Sequence, residues 1–301
     1  MRRAAIDVGS NSVLLTVAEF RDDTWIPILE TTAVTALGEG VKATGVLSER
    51  GMKDTLEAIK KAFDEALAAG AERVDAAATM AARLAANREE FLERAREQGT
   101  PVRLLSGEDE ASLGLQAVME DQTFSDYPRI SIIDVGGHST EIVTMDRCSD
   151  TPGFRNSFPI GTLGLLSTSL QAERPSGPDL MRAATEIDDV FSLAYRPGEA
   201  GTVVALGATG TNLITIREAM TEWDPNLVHG TYLDYEEISR SVRWLSSMTV
   251  DERSLVTGME PGRERTLHAG ALILERALFA LRSEGCFVSV RGWRHALISQ
   301  E

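Results

Sequence analysis

Cysteine is nearly absent. The 301 residues hold two, Cys148 and Cys286, far apart and in no Cys-x-x-Cys pattern. This argues against a disulfide framework or a thiolate zinc site, and a reducing cytoplasm is the expected compartment. Histidine is scarce as well: His138, His229, His268 and His295 show no metal-ligand spacing. Basic residues are in deficit, with Lys plus Arg at 30 against 46 for Asp plus Glu, a formal charge of −16. That field opposes bulk attraction to nucleic-acid polymers or anionic membranes. A polyanionic ligand would need a local basic or backbone-amide site. Long apolar runs are missing too: the most apolar late stretch, residues 269–281, is broken by Glu275 and Arg276, so no bilayer span is expected. Met1-Arg2-Arg3 leads directly into a strand-like run with no signal-peptide apolar core. Walker GxxxxGK[ST], GxSxG and HExxH signatures do not occur.

What is present is an ordinary globular composition, 43% hydrophobic and 25% charged, which excludes a disordered chain. At about 150 residues per domain the length predicts two domains, here 1–124 and 125–301, with a last helix packing back on the first. The most informative feature is an internal echo. Residues 6–12 read Ile-Asp-Val-Gly-Ser-Asn-Ser and residues 133–139 read Ile-Asp-Val-Gly-Gly-His-Ser. Each copy lies between two apolar runs, which predicts strand, tight turn, strand. Asn11 and His138 sit at matching turn positions and are expected to take a left-handed backbone. Between and after the copies, helical and strand patterns alternate. Helices are expected over 52–67, from Asn87 to before Gly99, over 107–119, from Pro178, over 236–246 and over 265–282. Strands are expected over 74–79, 102–105, 130–134, 203–206 and 287–290. This is an α/β protein. Residues 121–128 read as a hinge, and 38–51 and 170–177 as exposed segments.

Several constellations could carry chemistry. Gly and small hydroxyl residues between strands present backbone N–H groups to phosphate, so Gly9, Ser10, Asn11 and Ser12, and Gly136, Gly137, His138, Ser139 and Thr140, form a candidate pair of phosphate clamps. Asp7 and Asp134 at the strand ends could hold a divalent cation, with Glu141 as a further ligand. A third Gly-rich segment, with Gly207, Gly210 and Thr211, lies between a strand and a helix. The acidic set Glu108-Asp109-Glu110 could cap a helix or orient a water. Arg83, Arg263, Arg265, Arg291 and Arg294 could form an anion track in an acidic chain.

Taken in order, these segments resemble the exopolyphosphatase/guanosine pentaphosphate phosphatase (Ppx/GppA) family of the actin-like ATPase and sugar-kinase superfamily. The resemblance covers nearly the whole chain: Asp7 to Ser12, Leu37 to Gly40 with Thr44, Gly45, Leu47 and Ser48, Thr79 to Arg83 with Asn87, Ser106 to Ala111, Asp134 to Glu141, Gly258 to Gly270, and Val288 to Arg294. It implies two ribonuclease-H-like (actin-like ATPase) domains facing an interdomain cleft, a homodimer, and hydrolysis of the terminal phosphate of inorganic polyphosphate with Mg²⁺ or Mn²⁺. By motif position Glu110 takes the catalytic role, Asp134 and Glu141 the metal and active-site carboxylate roles, and Arg83 a phosphate-contacting role. Four positions depart from the family pattern: His138 for Gly, Met80 for Ser, Gly164 for Arg and Val290 for Asp. The chain ends after the two core domains, without the helical domains of longer members, which suggests short-chain substrates. Guanosine pentaphosphate (pppGpp) is the alternative substrate. A sensor that kept the clamp and lost turnover is a reading of another class, against which Glu110, Asp134 and Glu141 all count. A sugar or acetate-type kinase is disfavoured by the 106–111 and 288–294 segments.

Overall fold

The computed structural model describes residues 1–300 other than 23, 194 and 197. The chain forms two compact units. Unit 1 comprises Met1–Leu113 with Trp293–Glu301, and unit 2 comprises Gly114–Gly292. The chain passes between them within the helix Gly107–Met119 and again after Gly292.

Unit 1 is built on β1 (Arg2–Val8), β2 (Ser12–Arg21), β3 (Thr24–Val34), β4 (Arg73–Ala78) and β5 (Arg103–Leu104), in the order β3-β2-β1-β4-β5. The first three strands form an antiparallel meander, and β4 and β5 add in parallel beyond β1. β3 was not foreseen, because Trp25 to Leu29 is a continuous apolar run containing Pro27. The proline is tolerated on this edge strand beside a register shift at Val17/Ala18. The helix Glu49–Ala68, N-capped by Ser48, buries Met52, Leu56, Ile59, Ala62 and Ala66 against the sheet. Leu67, at the end of the helix, is exposed.

Unit 2 repeats the plan with one strand more. β6 (Arg129–Val135), β7 (Thr140–Asp146), β8 (Phe154–Phe158), β9 (Thr202–Leu206), β10 (Thr231–Asp234) and β11 (Gly285–Val288) lie in the order β10-β11-β9-β6-β7-β8. Here β8-β7-β6-β9-β11 matches β3-β2-β1-β4-β5 strand for strand, and β10 is an antiparallel addition at the edge. The helix Gly177–Phe191 starts with a Ser176–Asp179 capping box and buries Ala183, Ile187 and Phe191. The apolar helix Leu267–Leu281 is buried along most of its length.

Three local expectations are corrected. Residues 121–128 are no loose hinge: they lie within unit 2, with Asp121 and Phe124 buried. Segment 38–51 is exposed only in part, since Val41 and Leu47 turn into the core. Asn87 does not cap its helix, Arg88–Glu97. Its amide pairs instead with the backbone of Leu47, accepting from the N–H at 2.8 Å and donating to the carbonyl at 3.0 Å.

Candidate active site

In both units the parallel strands end at one edge of the sheet, the edge at which open α/β sheets bind ligands. The duplicated turns lie there. The Gly9 N–H donates to the Ser12 carbonyl at 2.9 Å, and Gly136 to Ser139 at the same distance. A Cβ at Gly9 would come within 3.1 Å of that carbonyl oxygen, and one at Gly136 within 3.0 Å, so a side chain at either position would press on the tight closure. Neither Asn11 nor His138 has a positive φ. The expected left-handed backbone is therefore wrong, because the closing bond is satisfied without it.

The carbonyls of both turns are tied from behind. Ser10 accepts from Gly38 at 2.8 Å, and Asn11 from Thr35 and Ala36 at 3.0 Å. Gly136 accepts from Thr162 at 3.1 Å, and Gly137 from Leu163 at 2.8 Å and Gly164 at 3.3 Å. A trans peptide directs its N–H opposite to its C=O. The amides of Asn11 and Ser12, and of Gly137 and His138, therefore face the other way, as an anion cradle needs. The Nδ2 of Asn11 is buried with no hydrogen-bond partner, an orphan donor in the first turn.

The two copies differ in their carboxylates. Asp134 on β6 stands directly opposite Glu141 on β7. In the matching row of unit 1 Asp7 faces Leu14. Glu141, which could have been a solvated strand residue, is only 1% exposed. Like charges directly opposite on one sheet face are destabilising, so this pair favours a cation or hydrogen-bond donors beside it. On the other flank of Asp134, a Cβ at Gly207 would lie 2.8 Å from Oδ1, and Gly207 has φ +75°. Only glycine allows that approach.

Glu110 is the member of the acidic set that turns inward. Asp109 is engaged at the helix start: its N–H donates to Ser106 Oγ at 3.0 Å, and that hydroxyl donates to Asp109 Oδ2 at 2.6 Å. Arg83, in the short helix Met80–Leu84, reaches Glu110 Oε2 with Nη1 at 3.0 Å and also donates to the Leu105 carbonyl. Met80 Sδ lies 3.5 Å from Arg83 Nη2.

The remaining predicted residues are placed less directly. Gly207 caps the helix Ala208–Arg217. Gly210 packs on β11, where a Cβ would meet Val288 Cγ2 at 3.2 Å, and Thr211 Oγ1 bonds the Ala208 carbonyl at 3.3 Å. Both contacts are those of a helix seated on its sheet. Arg263 lies 3.4 Å from Glu260, in a loop fastened by Asn212 and Thr215, each donating to the Gly258 carbonyl at 2.7 Å. Two arginines of the expected anion track are held in structural ion pairs. Arg294 binds Thr16 and Glu30 at 2.7 and 3.0 Å, and Arg291 lies 3.4 Å from Asp121. Among the described residues no three His, Cys, Asp or Glu side chains gather as a ready metal site.

Sequence reasoning missed the segment behind the second turn. Gly161 has no room for a side chain: a Cβ there would lie 2.5 Å from the Gly137 carbonyl oxygen and closer still to Gly137 C and His138 N. Thr140 Oγ1 donates to the Ile160 carbonyl at 2.7 Å, and Ser157 Oγ donates to Glu141 Oε1 at 2.6 Å. The signal was the Gly in Pro159-Ile160-Gly161-Thr162, four residues after an isolated serine.

Two sheets of one topology, each with an Asp-led glycine turn at the carboxyl ends of its parallel strands, define a two-unit α/β enzyme of the actin-like ATPase type. The Aquifex aeolicus Ppx/GppA family member has this fold, with TM-score 0.81 and 32% identity over 99% of this chain and 96% of that one. The chain belongs to the Ppx/GppA phosphatase family, whose model matches residues 16–301. It is accordingly a hydrolase. It is 28% identical over 299 residues to exopolyphosphatase 2 of Mycobacterium tuberculosis, covering 93% of this chain and 91% of that protein. It is likewise 28% identical over 305 residues to exopolyphosphatase 1 of Mycobacterium bovis, covering 99% and 87%. No helix among the described residues is long and apolar enough to cross a membrane.

Proposed function

We propose that the chain is an exopolyphosphatase that removes the terminal phosphate of inorganic polyphosphate, with water as nucleophile. The observation that carries this reading is the pair of Asp-led turns whose carbonyls are bound from behind, which leaves their amides turned the other way, as phosphate binding needs. The names of the mycobacterial relatives support the substrate class.

In unit 1, Glu110 accepts the proton of the attacking water as its oxygen bonds to the terminal phosphorus and the bridging P–O bond breaks. Orthophosphate leaves, with a chain one residue shorter. Arg83, ion-paired to Glu110, fixes the carboxylate and offsets charge on the substrate. In unit 2 the Gly136–Thr140 turn binds phosphate oxygens through its amides. The donor set fits a hard divalent cation: carboxylate oxygens only, with Asp134 and Glu141 opposed across the strand pair. Asp134 and Glu141 would hold Mg²⁺ or Mn²⁺ there, with Asp7 as the counterpart in the first turn. Such a cation supplies neutralisation of phosphate charge.

Glu110→Gln is close to isosteric but cannot take the proton, so turnover should fall by about 10²- to 10⁴-fold with the fold retained. Phosphate release is to be measured from short and long polyphosphate and from guanosine pentaphosphate, with and without Mg²⁺. A Glu110→Gln variant keeping more than about a third of the turnover would remove Glu110 as the base. Exclusive turnover of the nucleotide would replace the substrate.

A further inference from the structure

On the far side of its buried glutamate the second turn meets a hydroxyl carried by β8. β7 is flanked by β6 and β8, and one register row runs Asp134, Glu141, Ser157 across the three strands. Side chains directly opposite in an antiparallel pair share a face. Glu141 therefore has a carboxylate on one side and a hydroxyl on the other. The contact with the hydroxyl is made: Ser157 Oγ donates to Glu141 Oε1 at 2.6 Å, a length typical of a bond to a charged oxygen. Asp134 would repel Glu141, while Ser157 draws one carboxylate oxygen toward β8.

We propose that Ser157 is a positioning residue, which locks the Glu141 side chain in one rotamer and so sets the direction in which it offers its carboxylate to a divalent cation. This rests on the reading of Glu141 as a metal-holding carboxylate given above. A glutamate has three rotatable side-chain bonds and loses much freedom on being fixed. Burial alone does not choose among its rotamers, whereas a directional hydrogen bond does. β8 is itself held in place a few residues on, where Thr140 bonds Ile160 and Gly161 lies against the turn. The hydroxyl is thus carried on backbone fastened to the same turn that bears Glu141. Unit 1 has no such need, because Leu14 stands in the corresponding place.

The test uses the full chain in three variants, Ser157→Ala, Ser157→Thr and Glu141→Gln. Mn²⁺ affinity is measured by direct titration without substrate, kcat and KM with polyphosphate, and folding by thermal melts. Ser157→Ala should weaken Mn²⁺ binding by about 10-fold or more, the usual cost of losing a group that orients a ligand. It should lower kcat while KM for polyphosphate stays within about two-fold, since the phosphate-binding amides are untouched. Ser157→Thr, which keeps a hydroxyl, should recover most of both. A folded Ser157→Ala with wild-type Mn²⁺ affinity and kcat overturns the proposal, as does a folded threonine variant no better than alanine. Glu141→Gln separates the two levels. Loss of Mn²⁺ affinity there with none in Ser157→Ala rejects only the positioning role. Unchanged affinity in Glu141→Gln rejects the underlying reading as well.

Discussion

Gly161→Ala perturbs the second turn by one methyl group without touching any candidate catalytic residue. Its backbone is extended, with φ −158° and ψ 171°, so alanine brings no torsional strain and the effect is one of space. The new Cβ would fall well inside 3.0 Å of Gly137 C, Gly137 O and His138 N, a separation real Cβ atoms essentially never show. All three are backbone atoms, and no flexible side chain can yield. Segment 160–164 must then back away from the turn. Four hydrogen bonds are at stake: Thr162 N–H to Gly136, Leu163 N–H and Gly164 N–H to Gly137, and Thr140 Oγ1 to Ile160. Overpacking costs about 1–3 kcal/mol, and weakening these bonds by the equivalent of one adds about 1 kcal/mol net, so a loss of about 2–4 kcal/mol is expected. In a unit of this size the melting temperature should fall by about 5–12 °C. Once the carbonyls are released the amides of Gly137 and His138 lose their aim, and turnover should drop at least about tenfold. The assay pairs calorimetry with phosphate release. Gly177→Ala serves as control, since a Cβ there meets nothing within 4 Å. A Gly161→Ala enzyme that melts with the wild type and turns over at full rate would refute the buttressing argument.

Other perturbations have equally definite outcomes. His268 is 2% exposed, and burial, followed by the neighbouring Arg253 charge, depresses its pKa to about 3. The unfolded chain takes up that proton near pH 6.5, so the stability is complete above that value and is lost as pH falls toward 3. Urea unfolding should show about 2 kcal/mol less stability at pH 5 than at pH 7.5 from this group, and His268→Asn should remove that part of the slope. Asp121 is 3% exposed. Burial pushes its pKa up, but the hydrogen bond from His229, the Arg291 charge and the Thr123 amide outweigh it and hold it at about 2. Its contribution of about 2 kcal/mol is present above pH 4 and disappears as pH falls to about 2, so Asp121→Asn should destabilise at pH 7 and not at pH 2. His138→Gly relieves no strain, because φ is not positive. It should lower stability by about 0.5–1 kcal/mol through added chain entropy, and a rise in melting temperature would contradict this.

Much of the architecture was visible in residue order. Identical Ile-Asp-Val-Gly runs place β1 and β6, and the apolar runs after them place β2 and β7, because a tight turn between two such runs has few alternatives. The helix 107–119 was legible to the residue. β3 escaped because its apolar run lacks alternation, and β8 because Phe154 to Phe158 is short and mixed. At the site, residue types were legible and partners were not. Nothing in the spacing says that Glu141 faces Asp134 on one side and Ser157 on the other, since cross-strand register is a long-range property. The same blindness made Asn87 look like a cap, when its amide is used by Leu47, forty residues earlier. It also let Arg291 and Arg294 pass as anion binders, although their carboxylate partners lie far away in sequence.

The closing helix, Trp293–Ser299, belongs to unit 1. Arg3 donates to the Ile298 and Gln300 carbonyls at 3.2 and 2.6 Å, and Glu30 is held by Arg294 and His295, each at 3.0 Å. These bonds join residues near the start of the described sequence to residues some 260–300 positions later. Unit 2 is one uninterrupted stretch and can condense while synthesis continues. Unit 1 lacks its last helix, and Glu30 lacks Arg294 and His295, until residues 293–300 emerge. Unit 2 can therefore close as soon as residues up to Gly292 are free of the ribosome, whereas unit 1 gains its last helix only after that.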